Sequence, residues 1–223
     1  CLIDNEKRPL ISDKRIVDIR LQGVDAPELH YPVEFEGSDA LTLHYRQYFG
    51  KTATADLLSA LGGPGKKIEC EIWSYIDKPS DLFDEFGRAI GYAFTVEEDS
   101  DKFELNINEW LLANGLACPT FYSTMQMEEL EYLAYIARQA ARYKRGLWKY
   151  TSNEIRKSQL KLKFNYSDRK FDREKDRGPV IFPKVFRRAS RWLRGIEIGE
   201  IDPKTTLPKF LKSQPPVTFS YLD

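Results

Sequence analysis

The sequence predicts an α+β fold, and three observations carry that reading. Several segments alternate apolar with polar residues, as half-buried strands do. Others repeat apolar residues at helical spacing. Both kinds stop near Trp148, which sets a first domain over residues 1–148 and an extension over residues 149–223.

In chain order, Cys1 to Asn5 reads as a strand already under way at Leu2-Ile3-Asp4. The chain is therefore expected to be a trimmed piece; a processed precursor and a lipidated Cys1 are the other readings. Arg15 to Gly23 is a second strand, with Ile16, Val17, Ile19 and Leu21 interleaved with Asp18, Arg20 and Gln22. A polar stretch from Glu28 to Tyr45 follows, and its His30 and His44 read as structural or solvated. Gln47 to Leu61 reads as a helix with Leu57, Leu58 and Leu61 apolar, stopped by Gly62-Gly63-Pro64. Lys67 to Tyr75 is a strand with Ile68, Cys70, Ile72 and Tyr75 as core candidates, and Gly87 to Val96 is another. Asn108 to Leu116 is a short helix closed by Gly115. Met127 to Tyr143 is a longer one, with Leu130, Leu133, Ala134, Ala137 and Ala141 as its stripe. Beyond Trp148, Asn165 to Arg177 reads as a charged loop, Val180 to Phe186 as an added strand and Arg187 to Arg194 as a basic helical turn.

Composition limits the function classes. A hydrophobic fraction of 42% supports a real core, and 30% charged residues with little low complexity argue against bulk disorder. No apolar run reaches membrane-spanning length and the N-terminus shows no signal pattern, so a soluble chain is expected, the cytoplasm slightly favoured. Cys70 and Cys118 lack metal-ligand spacing and read as buried structural thiols in a reduced compartment. The formal net charge of zero hides an asymmetry: 16 Lys and Arg face 25 Asp and Glu through Trp148, against 18 and 9 afterwards. A basic tail on an acidic body suits a polyanion, or it neutralises its own body; both readings stand.

The informative segment is Arg20-Leu21-Gln22-Gly23-Val24-Asp25-Ala26-Pro27-Glu28, where a strand ends in a tight turn that gathers an arginine and two acids. Pro27 stiffens that turn. A second arginine follows in Phe86-Gly87-Arg88. With Asn108-Glu109-Trp110-Leu111-Leu112-Ala113-Asn114-Gly115-Leu116-Ala117, the Met127 to Tyr143 helix and Gly146-Leu147-Trp148, these segments resemble the staphylococcal nuclease (thermonuclease) family in kind and order. The resemblance implies a five-stranded Greek-key β-barrel of the oligonucleotide-binding type with three helices, followed here by a basic C-terminal extension.

It also implies roles. Arg20 would contact the scissile phosphate and Arg88 would stabilise charge on it. Asp25 and the Ala26 carbonyl would bind calcium, with magnesium the poorer fit, and Glu28 would assist the attacking water as base or as positioning group. Phe121 and Tyr122 stand near the places of base-stacking tyrosines, core packing being the other reading for Phe121. The chemistry is coherent in itself. Two forked guanidiniums suit an oxyanionic phosphate, and a hard ion on oxygen ligands lowers the pKa of bound water. Arg187, Arg188 and Arg191 grip further phosphates of DNA or RNA, or form a solvated helix docked on the acidic body.

Two departures qualify the likeness. The family's Asp-Gly-Asp-Thr-like turn, which completes its metal site, would fall ahead of residue 1; Asp4 and Asp18 are poor substitutes. Glu85 stands where a lysine is common. The expected activity is metal-dependent hydrolysis of phosphodiester bonds in DNA or RNA, and the alternative is a non-catalytic scaffold binding nucleic acid or protein.

Overall fold

The computed structural model describes residues 17–35, 41–74, 82–84, 86–96, 103–122, 125–152, 155–162, 164 and 171–214. The strand expected over residues 1–5, and Tyr75 and Glu85, lie outside these. The strands are β1 (Ile19–Leu21), β2 (Val24–Asp25), β3 (Tyr31–Val33), β4 (Leu43–Tyr45), β5 (Cys70–Trp73), β6 (Ala89–Val96), β7 (Phe103–Asn106) and β8 (Cys118–Pro119). The helices are α1 (Gly50–Ala60), α2 (Ile107–Ala113), α3 (Met127–Arg142), α4 (Lys157–Leu160), α5 (Pro183–Ile198) and α6 (Leu207–Ser213).

β6 is the centre of the main sheet. It pairs in parallel with β1 and antiparallel with both β5 and β7. Its residues alternate little between buried and open, as expected of a strand covered on both faces. β2 pairs with β8 and β3 with β4, both antiparallel, so the described residues form three separate sheets and no closed barrel. Against the main sheet, α2 and α3 bury Leu111, Leu112, Leu130 and Leu133 with Tyr92 and Ala93. The Asn106 side chain caps α2 by accepting from the Asn108 and Glu109 N–H groups, and Gln126 and Glu129 form a reciprocal box at the start of α3. On α3 the buried stripe ends at Ala140, with Ala141 half-buried.

Three expectations are corrected. Val180 makes a single bridge to Thr151, and the segment Pro183–Ile198 is helix where a strand to Phe186 and a short basic turn were expected. Proline at the first position fixes a helical φ, and Phe186, Ala189, Ser190 and Leu193 then fall on one buried face. Cys70 and Ile72 are exposed and Ile68 half-buried, because β5 pairs with β6 alone among the described strands; of the two described thiols, Cys118 is the buried one. On α1 it is Thr52 and Ala53 that are buried, while Leu58 is exposed.

The extension is packed onto the body. Leu160, Ile181, Phe186, Ala189 and Leu193 join Val33 and Tyr45 in a second core, so α4 and α5 cover the β3–β4 hairpin. Asp176 reinforces this: buried, it accepts from the Thr52 N–H (2.8 Å) and hydroxyl (2.9 Å) and from Arg46 Nη1 (2.6 Å).

Asn108 joins the main layers. Fully buried, its Nδ2 donates to the Gln22 carbonyl (2.8 Å) and the Gly91 carbonyl (3.3 Å), and its Oδ1 accepts from the Ala93 N–H (3.1 Å). Asn108→Leu removes this partner from the Gln22 carbonyl and the Ala93 N–H in an apolar layer, while the Gly91 carbonyl keeps the Gln22 N–H at 2.9 Å. It should lower stability by about 2–4 kcal/mol in urea or thermal denaturation; a loss below about 0.5 kcal/mol would mean the amide is dispensable.

Candidate active site

β1 ends in a turn at Gln22-Gly23, where Gly23 takes a φ of 74° and a Cβ would run into the Leu133 side chain. The turn sends the chain into β2, and Pro27 is buried behind it. Buried Gln47 holds the main chain of Glu28. Its Oε1 accepts from the Glu28 N–H (2.9 Å) and its own N–H donates to the Glu28 carbonyl (2.6 Å). The Nε2 of the same residue donates to the Ile181 carbonyl (2.8 Å), so one amide registers Glu28 against the chain entering α5.

Parallel pairing of β1 and β6 brings two arginines together. Arg20 lies opposite Ile90, and Arg88 precedes Ile90 by two residues, so the period of two puts both arginines on one face. Asp84 links them. Arg88 donates through Nε (2.8 Å) and lies 2.6 Å away through Nη2, and Arg20 Nη1 approaches the same oxygen at 3.4 Å. The other Asp84 oxygen accepts from the Phe86 and Arg88 N–H groups, each at 3.0 Å. Burial pushes the Asp84 carboxyl up, but the Arg88 hydrogen bonds and the Phe86 N–H outweigh it and leave it below the usual carboxylate range. Arg20 Nη2 also donates to the Tyr122 hydroxyl, its guanidinium 5.1 Å from that ring's centre. Both arginines stay about one third open to solvent (side chains 33% and 37% exposed), which leaves donors free for a ligand.

The acids meet a third arginine. Arg187, in the second turn of α5, places its fork on Asp25, Nη1 to Oδ1 at 3.0 Å and Nη2 to Oδ2 at 2.9 Å, and Nη1 also donates to Glu28. Burial lowers the affinity of Arg187 for its proton, and Asp25 and Glu28 outweigh it, holding the guanidinium firmly charged. For Glu28 the order is reversed: burial dominates, and its carboxyl lies above 4.5 despite the Arg187 and Arg88 charges.

The other residues singled out by sequence fall around this centre. Ala26 is exposed beside Asp25. Phe121 and Tyr122 are half-buried against the main core. Arg188 lies next to Arg187, and its guanidinium holds its proton less firmly through burial and that neighbour. Arg191 is exposed, 5.1 Å from the Phe35 ring. His30 and His44 stack on each other at 4.4 Å, and among the described residues no group of three or more His, Cys, Asp or Glu side chains could hold a metal. Asp84 and Gln47 are the residues sequence reasoning missed. Asp84 could have been found as the acid just ahead of Phe86-Gly87-Arg88; nothing local marks Gln47.

The site is thus two arginines fixed on one aspartate and two acids paired with a third arginine, carried by an α+β domain. Residues 18–150 match the staphylococcal nuclease homologue family, and the chain belongs to it. No curated protein matches the chain.

The Asp84 carboxyl is lowered in the folded state, so its charge stabilises the fold above an ordinary carboxylate pKa of about 4, and that stability is lost as pH falls through the folded value. Asp84→Asn should flatten the acid limb of stability against pH, followed by urea denaturation between about pH 2 and 6. An acid limb identical to the parent's would mean that the two arginines do not depend on this charge.

Proposed function

We propose that the protein hydrolyses phosphodiester bonds in DNA, RNA or both, in a metal-dependent and specifically calcium-dependent way. The observation that carries this is the convergence of Arg20 and Arg88 on Asp84 at the same turn as Asp25 and Glu28. A phosphate entering there meets two guanidiniums already oriented, so little side-chain ordering remains for the bound state. Their free N–H groups take the non-bridging oxygens, where negative charge grows during displacement. Glu28, buried and with its carboxyl raised, is placed to accept or orient a proton of the attacking water. The Phe121 and Tyr122 rings offer surfaces for adjoining bases, and Arg188 and Arg191 offer charge to the strand beyond. The reading includes the family's five-stranded Greek-key barrel.

The donor set suits calcium in one respect. The Asp25 and Glu28 carboxylates converge on one positive nitrogen, Nη1 of Arg187, which marks a point both can serve. The Asp25 carboxylate and the Ala26 carbonyl would hold the ion, with Glu28 beside it on the attacking water; the ion would shield the phosphate charge and lower the pKa of a bound water. A second reading, a non-catalytic scaffold for nucleic acid or protein, is favoured by one observation: Arg187 already neutralises part of the acid pair.

Single-stranded DNA and RNA should be cut with calcium, more slowly with magnesium, and not with chelator. Arg20→Ala, Glu28→Gln and Arg88→Ala should each cut at least about a hundredfold more slowly with the fold intact. Binding without cutting by the parent protein would decide for the scaffold. The rate should fall on acidification with an inflection above the usual carboxylate range, because burial raises the Glu28 carboxyl and protonated Glu28 no longer accepts a proton. A rate that does not change on acidification would remove Glu28 from the proton transfer.

A further inference from the structure

We infer that Arg187 is a built-in counter-cation that occupies the metal position of the Asp25–Glu28 pair, so that a divalent ion enters only when this side chain leaves. The inference rests on the reading that Asp25 holds a metal ion beside Glu28. Three features carry it. The guanidinium uses both oxygens of Asp25 and reaches Glu28 with the same Nη1, so it sits between the carboxylates and is not draped over one of them. A calcium ion held by Asp25 would need oxygen contacts of about 2.3–2.6 Å. Nη1 lies 3.0 Å from Asp25 Oδ1 and nearer to Glu28, so both cations cannot serve these oxygens together.

The second feature is delivery. Arg187 is carried by a helix whose opposite face buries Phe186, Ala189 and Leu193, and whose approach is tied through Ile181 and Gln47 to the Glu28 main chain. The guanidinium is presented by a fixed element, so its place on the acids is part of the fold.

The third feature is the exit. The Arg187 side chain is 30% exposed, and Lys184 and Arg188 lie at i−3 and i+1 on the same helix. Repulsion among the three cations favours any anion offered outside the acid pair, and the phosphate backbone of a nucleic acid is such an anion. Arg187 moving from carboxylates to phosphate frees two negative charges as the substrate arrives. Calcium and oligonucleotide should therefore each strengthen binding of the other, as linkage requires.

The test is calcium binding by titration calorimetry to the parent chain, Arg187→Ala and the less drastic Arg187→Gln, with Asp25→Asn as control and circular dichroism to check folding. Both Arg187 variants should bind calcium at least about tenfold more tightly than the parent, and Asp25→Asn should abolish that gain. A non-cleavable phosphorothioate oligonucleotide should raise the calcium affinity of the parent and change that of Arg187→Gln little. Equal or weaker calcium binding by folded Arg187→Gln, with binding still lost in Asp25→Asn, would overturn the competition and leave the metal reading standing. No calcium binding by any form would remove the metal reading, and this inference with it. Loss of fold in Arg187→Ala alone leaves Arg187→Gln to decide.

Discussion

The fold depends on how one buried amide on α2 joins the end of β1 to β6. Where β1 ends and β6 passes beneath α2, the Asn108 side chain pairs the Gln22 carbonyl and the Ala93 N–H, and adds a second donor to the Gly91 carbonyl, which already accepts from the Gln22 N–H. An unpaired buried polar group costs far more than a typical hydrogen bond contributes, so this contact selects which strand lies beside β6 and in what register. That register sets Arg20 and Arg88 on one face. The chemistry is thus downstream of a structural amide that touches no ligand.

Charge compensation then organises the site as two linked groups. Asp84 holds two arginines that would otherwise repel each other, and Arg187 holds two acids that would otherwise repel each other. Each group is incompletely neutralised: the first keeps an excess positive charge and the second an excess negative one. A phosphate suits the first and a cation the second, which is the polarity that hydrolysis of a phosphodiester requires. Glu28 also interacts electrostatically with Arg88, so the two groups are coupled.

The segment after Trp148 has a larger part than its composition suggests. It supplies Arg187 to the acids, Asp176 to the start of α1 and most of a second core. Of the two readings of the charge asymmetry, at least one basic side chain does neutralise the body, and it does so at the acids of the proposed active site. Among the described residues, Arg188 and Arg191 form no ion pair with the body.

Local chemistry made much of this legible. The α2 and α3 helices follow from apolar spacing and capping residues, and the Gly23 turn with Asp25, Pro27 and Glu28 is written in consecutive residues because turn geometry is a short-range property. The family likeness rests on those same segments. Other features depend on contacts distant in sequence. Whether β5 is a core or an edge strand depends on what pairs with it, so the alternation of Ile68, Cys70 and Ile72 misled. Strand and helix also compete over Val180 to Phe186, and packing on the β3–β4 hairpin favoured the helix from Pro183. The partner of the acids was farthest from view. Asp25 and Arg187 are 162 positions apart, and a charged side chain carries no local signal of which opposite charge it will meet. Sequence determined the turn, its acids and the two arginines; tertiary structure alone decided which cation stands between the acids, because long-range electrostatic pairing is fixed only when the helices pack.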